Sequence, residues 1–254
     1  MSLRPLAGAA LTALALAATP APARGQSKGD AFAGRIPPVS SYLYRKAGRF
    51  EVTLSGNLSL NDAFVSKYFG GVKVGYHLTE FFSVSGQVQA GTTSRTGSAQ
   101  VCRSNQGCSP ASPDQLWQVP GHLDLVAGVE AAWSPVYGKL NIASEKVVHF
   151  DLSLLGGVDW ISYQEVVSSA QAADLVAAGQ TPGNKGTIGG HVGLGVRLFF
   201  TEAIAARLEL KDYIYAVAVP NWQEGGGARK DVQNQLFAEL GVSVFFPFQN
   251  RSAP

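Results

Sequence analysis

The residues with the clearest potential for chemistry are His122 and Asp124, which stand two positions apart in a stretch of alternating apolar and polar residues. In an extended strand, residues two positions apart share a face, so an imidazole base and a carboxylate that orients it are possible in principle. Asp212, near the end of a later alternating stretch, is a third candidate. Since no nucleophile motif accompanies them, we predict structural roles and no catalytic residue.

The other three histidines, His77, His149 and His191, occur in three different stretches of the chain. None of them has a second histidine at a metal-binding spacing such as H-x-H. Gly225-Gly226-Gly227 lacks the strand-to-helix context of a phosphate-binding loop. We therefore predict hydrogen-bonded structural histidines, no metal and no cofactor.

The first 23 residues have the pattern of a secretory signal peptide. Arg4 supplies a positive charge, residues 6–18 form an apolar run, and Ala21-Pro22-Ala23 is a small-x-small cleavage site. The run is too short to span a bilayer as a helix. We expect export and cleavage after Ala23, with cleavage after Gly25 as the alternative.

The two cysteines, Cys102 and Cys108, lie in a stretch rich in serine, glycine and proline. Export would place them in an oxidising compartment, where cysteine pairs form disulfides. The alternative, a metal or redox pair, needs further ligands that no nearby histidine or second cysteine pair supplies. The sequence predicts a disulfide that closes a small loop.

Composition excludes some classes of protein. The chain has a formal net charge of +2, and loss of Arg4 with the signal peptide would lower it by one. So small a charge gives no electrostatic reason to expect a nucleic acid partner. The chain has 29 glycines and 15% charged residues, and no segment after the signal offers the ~18 consecutive apolar residues of a membrane helix.

From Phe50 onward, apolar residues recur with a period of two, which is typical of strands. In the first segment Val52 and Leu54 alternate with Glu51 and Thr53. Eight such segments follow one another along the chain. They cover residues 50–58, 72–78, 82–90, 122–133, 148–160, 188–198, 204–211 and 235–246.

The polar face distinguishes a membrane barrel from a soluble barrel, because a membrane barrel is apolar outside and polar inside. Here the polar face combines charges of both signs with many glycines, which suits the narrow lumen of eight strands. We predict an all-β, eight-stranded antiparallel up-and-down transmembrane β-barrel with a lumen charge network. Its members are Glu51, Lys73, Asp124, Glu130, Asp151, Arg197, Arg207, Glu209, Lys211 and Glu239, with Asp159 on the same face. Six apolar residues depart from the alternation: Val126, Leu155, Ile161, Phe199, Phe237 and Phe245.

The connections support this orientation. Residues 79–81 and 201–203 are short links, whereas residues 93–120 and 164–186 are long, as expected of periplasmic turns and outer loops. Residues 134–146 are a longer link on the short-turn side. Aromatic residues near both ends predict interfacial belts. They are Phe81, Phe82, Trp133, Tyr137, Phe199, Phe200, Phe245 and Phe246 at one end, and Tyr68, Phe69, Trp117, Trp160, Tyr163, Tyr213 and Tyr215 at the other.

Several motifs, from residue 35 to residue 247, resemble the small outer-membrane β-barrel domain proteins of myxobacteria and relatives. They are Phe50-Glu51-Val52, Ser59-Leu60-Asn61-Asp62, Gly75-Tyr76-His77-Leu78-Thr79-Glu80, Pro135-Val136-Tyr137-Gly138-Lys139, His149-Phe150-Asp151-Leu152, Lys211-Asp212-Tyr213 and Gln233-Asn234-Gln235. The resemblance implies an outer-membrane barrel, and for some members a part in the surface gliding-motility machinery. Val244-Phe245-Phe246 also looks like the terminal-strand signal read by the barrel-insertion machinery.

The predicted organisation is a signal peptide (1–23), a periplasmic N-terminal linker (24–47), an outer-membrane barrel (48–247) and a C-terminal tail (248–254). Because a filled lumen leaves no wide channel, we expect an anchoring, structural or surface-interaction role in the cell envelope. The expected partners are outer-membrane lipid and lipopolysaccharide, the insertion machinery during biogenesis, and envelope proteins that bind the outer loops. The alternatives are a narrow porin-like channel and a lipid-modifying enzyme with its site at the rim.

Overall fold

All eight segments in which apolar and polar residues alternate form strands. Within the described residues, the long connections add two short strands and two helices. The computed structural model describes residues 44–104, 107–142, 146–220 and 228–247. The elements are β1 (Phe50–Ser59), β2 (Val65–His77), β3 (Phe82–Arg95), β4 (Gln100–Arg103), β5 (Gly107–Pro110), α1 (Pro113–Leu116), β6 (Leu123–Ile142), β7 (Lys146–Gln164), α2 (Ser169–Ala177), β8 (Asn184–Phe199), β9 (Ile204–Val219) and β10 (Arg229–Phe246).

The predicted signal peptide, most of the predicted linker, the C-terminal tail and Gly225-Gly226-Gly227 lie outside the described residues. Those assignments therefore stay predictions.

Eight of the strands close into a barrel in the order β1-β10-β9-β8-β7-β6-β3-β2. Every pair in the ring is antiparallel, and β1 closes it by pairing Phe50 with Tyr76 of β2 and with Phe246 of β10. Closure pairs the strand edges that an open sheet would expose. The predicted eight-stranded antiparallel up-and-down barrel is confirmed.

The two faces of the wall differ as the alternation predicts. Outward leucines such as Leu194 and Leu240 are 60% and 66% exposed, whereas inward Glu209 and Lys211 are 1% and 0% exposed. Neither of the helices in the described ranges has the length and apolar character needed to cross a membrane.

The six apolar residues that depart from the alternation are all buried. The backbone alternation is not interrupted at these six residues. They stand at inward positions of their strands and simply have apolar side chains there. Val126, Ile161 and Phe237 belong to an apolar cluster near the loop end of the barrel, and Phe199 and Phe245 form a second cluster near the short-turn end. The interior is therefore polar in the middle and apolar towards both ends.

The aromatic belts are only partly as predicted. Phe81, Trp133 and Phe200 at the short-turn end, with Tyr68 and Trp160 at the loop end, are exposed on the outer wall. Six other aromatic residues turn inward and are buried, because they stand at inward positions of their strands. They are Phe69, Phe199, Phe245, Tyr163, Tyr213 and Tyr215.

Of residues 134–146, predicted as a long link, residues 134–142 instead extend β6 and Lys146 begins β7, so that the two strands pair in a protruding hairpin. The register shifts between Trp133 and Val136, so that Ser134 and Pro135 together stand opposite Ser153. Proline has no N–H to donate to a ladder and is tolerated at such a bulge. Beyond it, Val136 resumes pairing with β7, which is why the strands continue.

The longest connection folds back on itself. Cys102 and Cys108 are directly opposite in the β4–β5 hairpin, with a Cα–Cα distance of 4.0 Å, and form the predicted disulfide. α1 and α2 each begin with a capping box, at Ser112 and Ser168. The Val167 N–H donates to the Trp117 carbonyl at 3.1 Å, which joins the two connections.

Candidate functional site: the charged lumen

The short-turn end of the lumen is filled by the segment that precedes β1. Tyr44 stacks on Phe199 at 5.5 Å between ring centroids and meets His149 edge-on at 5.0 Å. Lys46 is 2% exposed and its Nζ lies 2.6 Å from Asp151 Oδ2. These residues, at the end of the predicted linker, form a plug, which we define as residues 44–49.

Arg49 joins the plug to the β8–β9 turn and to the end of β10. Its Nη1 donates to the Glu202 carbonyl at 2.8 Å and its Nη2 donates to the Phe245 carbonyl at 3.3 Å. Burial lowers the pKa of Lys46 from its ordinary value, although the Asp151 carboxylate acts in the opposite direction. Burial also lowers the pKa of Arg49.

Above the plug, one acidic residue links three strands. The Glu51 carboxylate accepts from Arg197 at 3.0 Å, from Arg207 at 3.2 Å and from His77 at 2.8 Å. Arg197 also donates to Asp151 at 2.9 Å. Charges contributed by β1, β2, β7, β8 and β9 are thus joined across the lumen.

The centre of the lumen is a compact cluster of alternating charges. Lys211 Nζ lies 2.9 Å from Glu130, 2.9 Å from Glu209 and 2.8 Å from Glu239. Lys73 Nζ lies 3.0 Å from Glu130 and 2.8 Å from Glu209. Arg207 forms two further hydrogen bonds to Glu209. Each central cation therefore faces at least two carboxylates, as buried charges require.

His191 completes the cluster. Its Nδ1 lies 2.5 Å from Asp159 Oδ2 and its Nε2 lies 3.2 Å from Glu130 Oε2. The imidazolium form satisfies both carboxylates, because it alone donates from both nitrogens. With that charge, the lumen network contains as many positive as negative groups. It comprises Lys46, Lys73, Arg197, Arg207, Lys211 and His191 against Glu51, Glu130, Asp151, Asp159, Glu209 and Glu239, with His77 bonded to Glu51.

Towards the loop end, the inner face changes from charged to aromatic and aliphatic. Along β9, Arg207, Glu209 and Lys211 are followed at the next inward positions by Tyr213 and Tyr215, all of them buried. Phe69 and Phe237 pack edge-on at 5.7 Å within the same layer. This layer separates the lumen network from the outer loops.

Glycines on the inner face make room for the long charged side chains. A Cβ at Gly157 would collide with the His191 imidazole and the Val129 carbonyl oxygen, and one at Gly128 would collide with Asp159. The many inward glycines thus have a steric reason in a lumen this narrow.

Of the predicted lumen charges, Asp124 is the one that the structure leaves outside the network. The register with β7 shifts between Leu123 and Leu125, so that Asp124 is the extra residue of a bulge. For the same reason Leu123, which strict alternation with His122 and Asp124 would place outward, turns inward and is 1% exposed. The other nine predicted members join the network, as does Asp159.

Sequence reasoning missed two lysines at the ends of the lumen. Lys46 precedes the first strand and therefore carries no alternation signal. Lys67 closes the loop end with Asp62 at 2.7 Å and with Gln235. The sequence could have predicted that Lys67 faces the lumen, because it lies six positions from Lys73 and therefore on the same face of β2.

Each of the three rim candidates has a buried polar atom without a hydrogen-bond partner among the described residues. These atoms are His122 Nε2, Asp124 Oδ2 and Asp212 Oδ1. Asp212 Oδ2 accepts from the Asn234 amide at 2.6 Å. No group of three or more potential metal ligands occurs in the described ranges.

Fold and site together define a class: a closed eight-stranded antiparallel β-barrel with an apolar outer wall and a lumen filled by paired charges. No family model and no curated protein matches the chain. Among solved structures, it is similar to the N-terminal β-barrel domain of Pseudomonas aeruginosa OprF, with a TM-score of 0.45 and 13% identity over 79% of this chain and 98% of that one.

The chain is also similar to the outer membrane protein OprG from Pseudomonas aeruginosa, with a TM-score of 0.47 and 16% identity over 80% of this chain and 98% of that one. A third similar structure is Neisserial surface protein A (NspA), with a TM-score of 0.38 and 12% identity over 79% of this chain and 96% of that one.

Proposed function

We propose that this protein is an outer-membrane β-barrel with a closed lumen that anchors its outer loops in the cell envelope. The observation that carries the proposal is the paired charge network inside a wall whose outward leucines, valines and aromatics are exposed. An apolar outer band and a polar interior are the requirements of a barrel in lipid. Export through a cleaved signal peptide and insertion by the barrel-insertion machinery belong to the same proposal.

The closed lumen supports anchoring over transport. The plug fills the short-turn end, the lumen network fills the middle and the aromatic layer fills the loop end. An eight-stranded barrel has room inside for side chains and little else. We therefore expect contacts with partners to involve the outer loops, residues 93–120 and 164–186, where α1, α2 and the disulfide provide fixed structure.

Fractionation tests the placement. The mature protein should sediment with outer membranes and should migrate differently on gels with and without boiling. A soluble periplasmic product with full strand content would contradict it.

Planar bilayers test the closed lumen. Purified protein should give no steady conductance, while a porin of sixteen strands in the same bilayer serves as a positive control. Stable ion-selective currents would favour the narrow-channel alternative instead.

Co-purification from native membranes tests the role in an assembly, including the motility machinery that the family resemblance implies. A stoichiometric partner should be lost when residues 93–120 and 164–186 are shortened, while heat-modifiability persists. Retention of the partner by the shortened protein would place its contact elsewhere.

A further inference from the structure

An open pocket of about 500 Å³ lies between the longest connection and the loop end of β3, outside the lumen network. Its lining consists of Thr93 and Arg95 of β3, of Ala111, Pro113, Leu116 and Trp117 in the connection, and of His122. Pockets of this volume are typical of small-molecule sites.

The charge of the pocket favours an anion. Arg95 contributes a guanidinium to the lining, and no carboxylate occurs among the described lining residues. Arg95 Nη1 donates to the Ala111 carbonyl at 2.6 Å, which holds the guanidinium against the loop. A guanidinium has five N–H donors, so a single bond of this kind leaves capacity for a carboxylate.

His122 supplies a second, independent indication of a ligand. Its Nε2 is buried and has no hydrogen-bond partner among the described residues, although buried polar atoms are nearly always paired. Burial lowers the pKa of His122, as does Lys67, while the Asp124 carboxylate acts in the opposite direction. The neutral ring that results at pH 7 has one N–H to donate.

The geometry points to a site for a small organic carboxylate with an aromatic or apolar body. The carboxylate would accept hydrogen bonds from Arg95 and His122, and the body would pack against Trp117 and Leu116. A few convergent polar groups beside apolar side chains are a usual feature of such sites. The disulfide in the β4–β5 hairpin, which precedes α1, limits the conformations of the connection that forms the pocket.

Calorimetry on the mature protein in lipid nanodiscs tests the site, with protein-free nanodiscs as the blank. The probes are 3-phenylpropionate and its neutral analogue 3-phenylpropanamide. The carboxylate should bind saturably at one site, and the amide should bind at least about tenfold more weakly, because it lacks the charge that Arg95 would pair. Equal affinities, or no saturable binding of the carboxylate at millimolar concentration, would overturn the proposal.

Two variants separate binding from folding. Arg95→Gln and His122→Phe should each weaken the binding of 3-phenylpropionate by about tenfold while the barrel stays heat-modifiable. Arg103→Gln is the matched control, because Arg103 is an exposed arginine of β4 in the same connection and does not line the pocket. An equal loss in Arg103→Gln would indicate non-specific attraction and overturn the site.

Discussion

At the scale of single residues, the lumen depends on each buried charge keeping its partners. Glu209 contacts Lys73, Lys211 and Arg207. Removing one partner of a buried pair costs about 3–5 kcal/mol, because the charge left behind stays buried. Glu209→Leu should therefore lower the free energy of unfolding in urea, measured in lipid vesicles, by about that much. Glu209→Gln should lower it less, since the amide keeps hydrogen bonds and volume.

A surface ion pair provides the control for Glu209. Glu165 and Lys185 lie 2.5 Å apart, with side chains 39% and 46% exposed. Exposed pairs contribute about 1 kcal/mol or less, so Glu165→Leu should change the free energy of unfolding little. If both leucine variants unfolded equally readily, the lumen network would have no stabilising role.

Adjacent glycines of β7 allow a steric test of the crowded interior. Gly157→Ala would push its methyl group into the His191 ring and the Val129 carbonyl, whereas at Gly156 the nearest atom lies at an ordinary 3.8 Å. We expect Gly157→Ala to lower the free energy of unfolding by about 1–3 kcal/mol, as in other overpacked interiors, and so to reduce the folded fraction. Gly156→Ala should fold normally. Equal behaviour of the two variants in a heat-modifiability assay would contradict the packing around His191.

Which residues face the lumen follows from alternation, but which of them pair does not. Parity alone places Glu51, Lys73 and Glu209 inside, because a period of two fixes the face. The contact of Glu130 with His191, sixty-one positions apart, depends on the tilt and register of non-adjacent strands. Asp124 was misplaced because a bulge changes parity locally, and its sequence gives no sign of one.

At the scale of elements, each strand has a lipid-facing side in the proposed membrane placement. Leu194 of β8 and Leu240 of β10 are exposed on the outer wall. An arginine near the midplane of a bilayer costs such barrels about 2–4 kcal/mol. Leu194→Arg and Leu240→Arg should therefore reduce the heat-modifiable fraction, and the alanine variants at both positions should be tolerated better. Arginine variants that insert normally would show that this face does not meet lipid.

The protruding β6–β7 hairpin should be separable from the barrel. Beyond the pairing of His149 with Phe199 of β8, the two strands pair with each other alone among the described residues. Replacing residues 140–148 by an Asn-Gly turn, which suits a two-residue hairpin, should leave the barrel heat-modifiable. Loss of folding would show that the hairpin is part of the folding unit.

This hairpin also shows where sequence reasoning about elements stopped. Pro135 interrupts the alternation, and a proline is ordinarily evidence against a central strand. The bulge absorbs the proline, so that Val136 and Leu140 again face outward on the far side. The strands of the barrel could be predicted because lipid-facing and lumen-facing residues alternate. The bulge could not be predicted, because it depends on the register in which β6 pairs with β7, and the sequence does not show that register.

At the scale of the whole molecule, closure depends on three layers that come from different parts of the chain. Residues 44–49 form the plug, inward charges of the strands form the lumen network, and inward aromatics form the outer layer. The strand layers could be anticipated from alternation. The plug could not be anticipated, because residues 44–49 show no alternation of apolar and polar residues. Their partners, such as Asp151, are also distant in the chain.

The last prediction separates the plug from the other two layers. Deleting residues 24–47 from the mature protein removes Tyr44 and Lys46 but leaves β1 paired with both neighbours. Asp151 then keeps Arg197 at 2.9 Å as a partner. We expect a less stable barrel that remains heat-modifiable and non-conducting in planar bilayers, because the lumen network still fills the middle. Lys46→Met is the matched control, since it removes the charge and keeps the segment. A steady current in the deletion variant alone would identify the plug as the seal of the barrel.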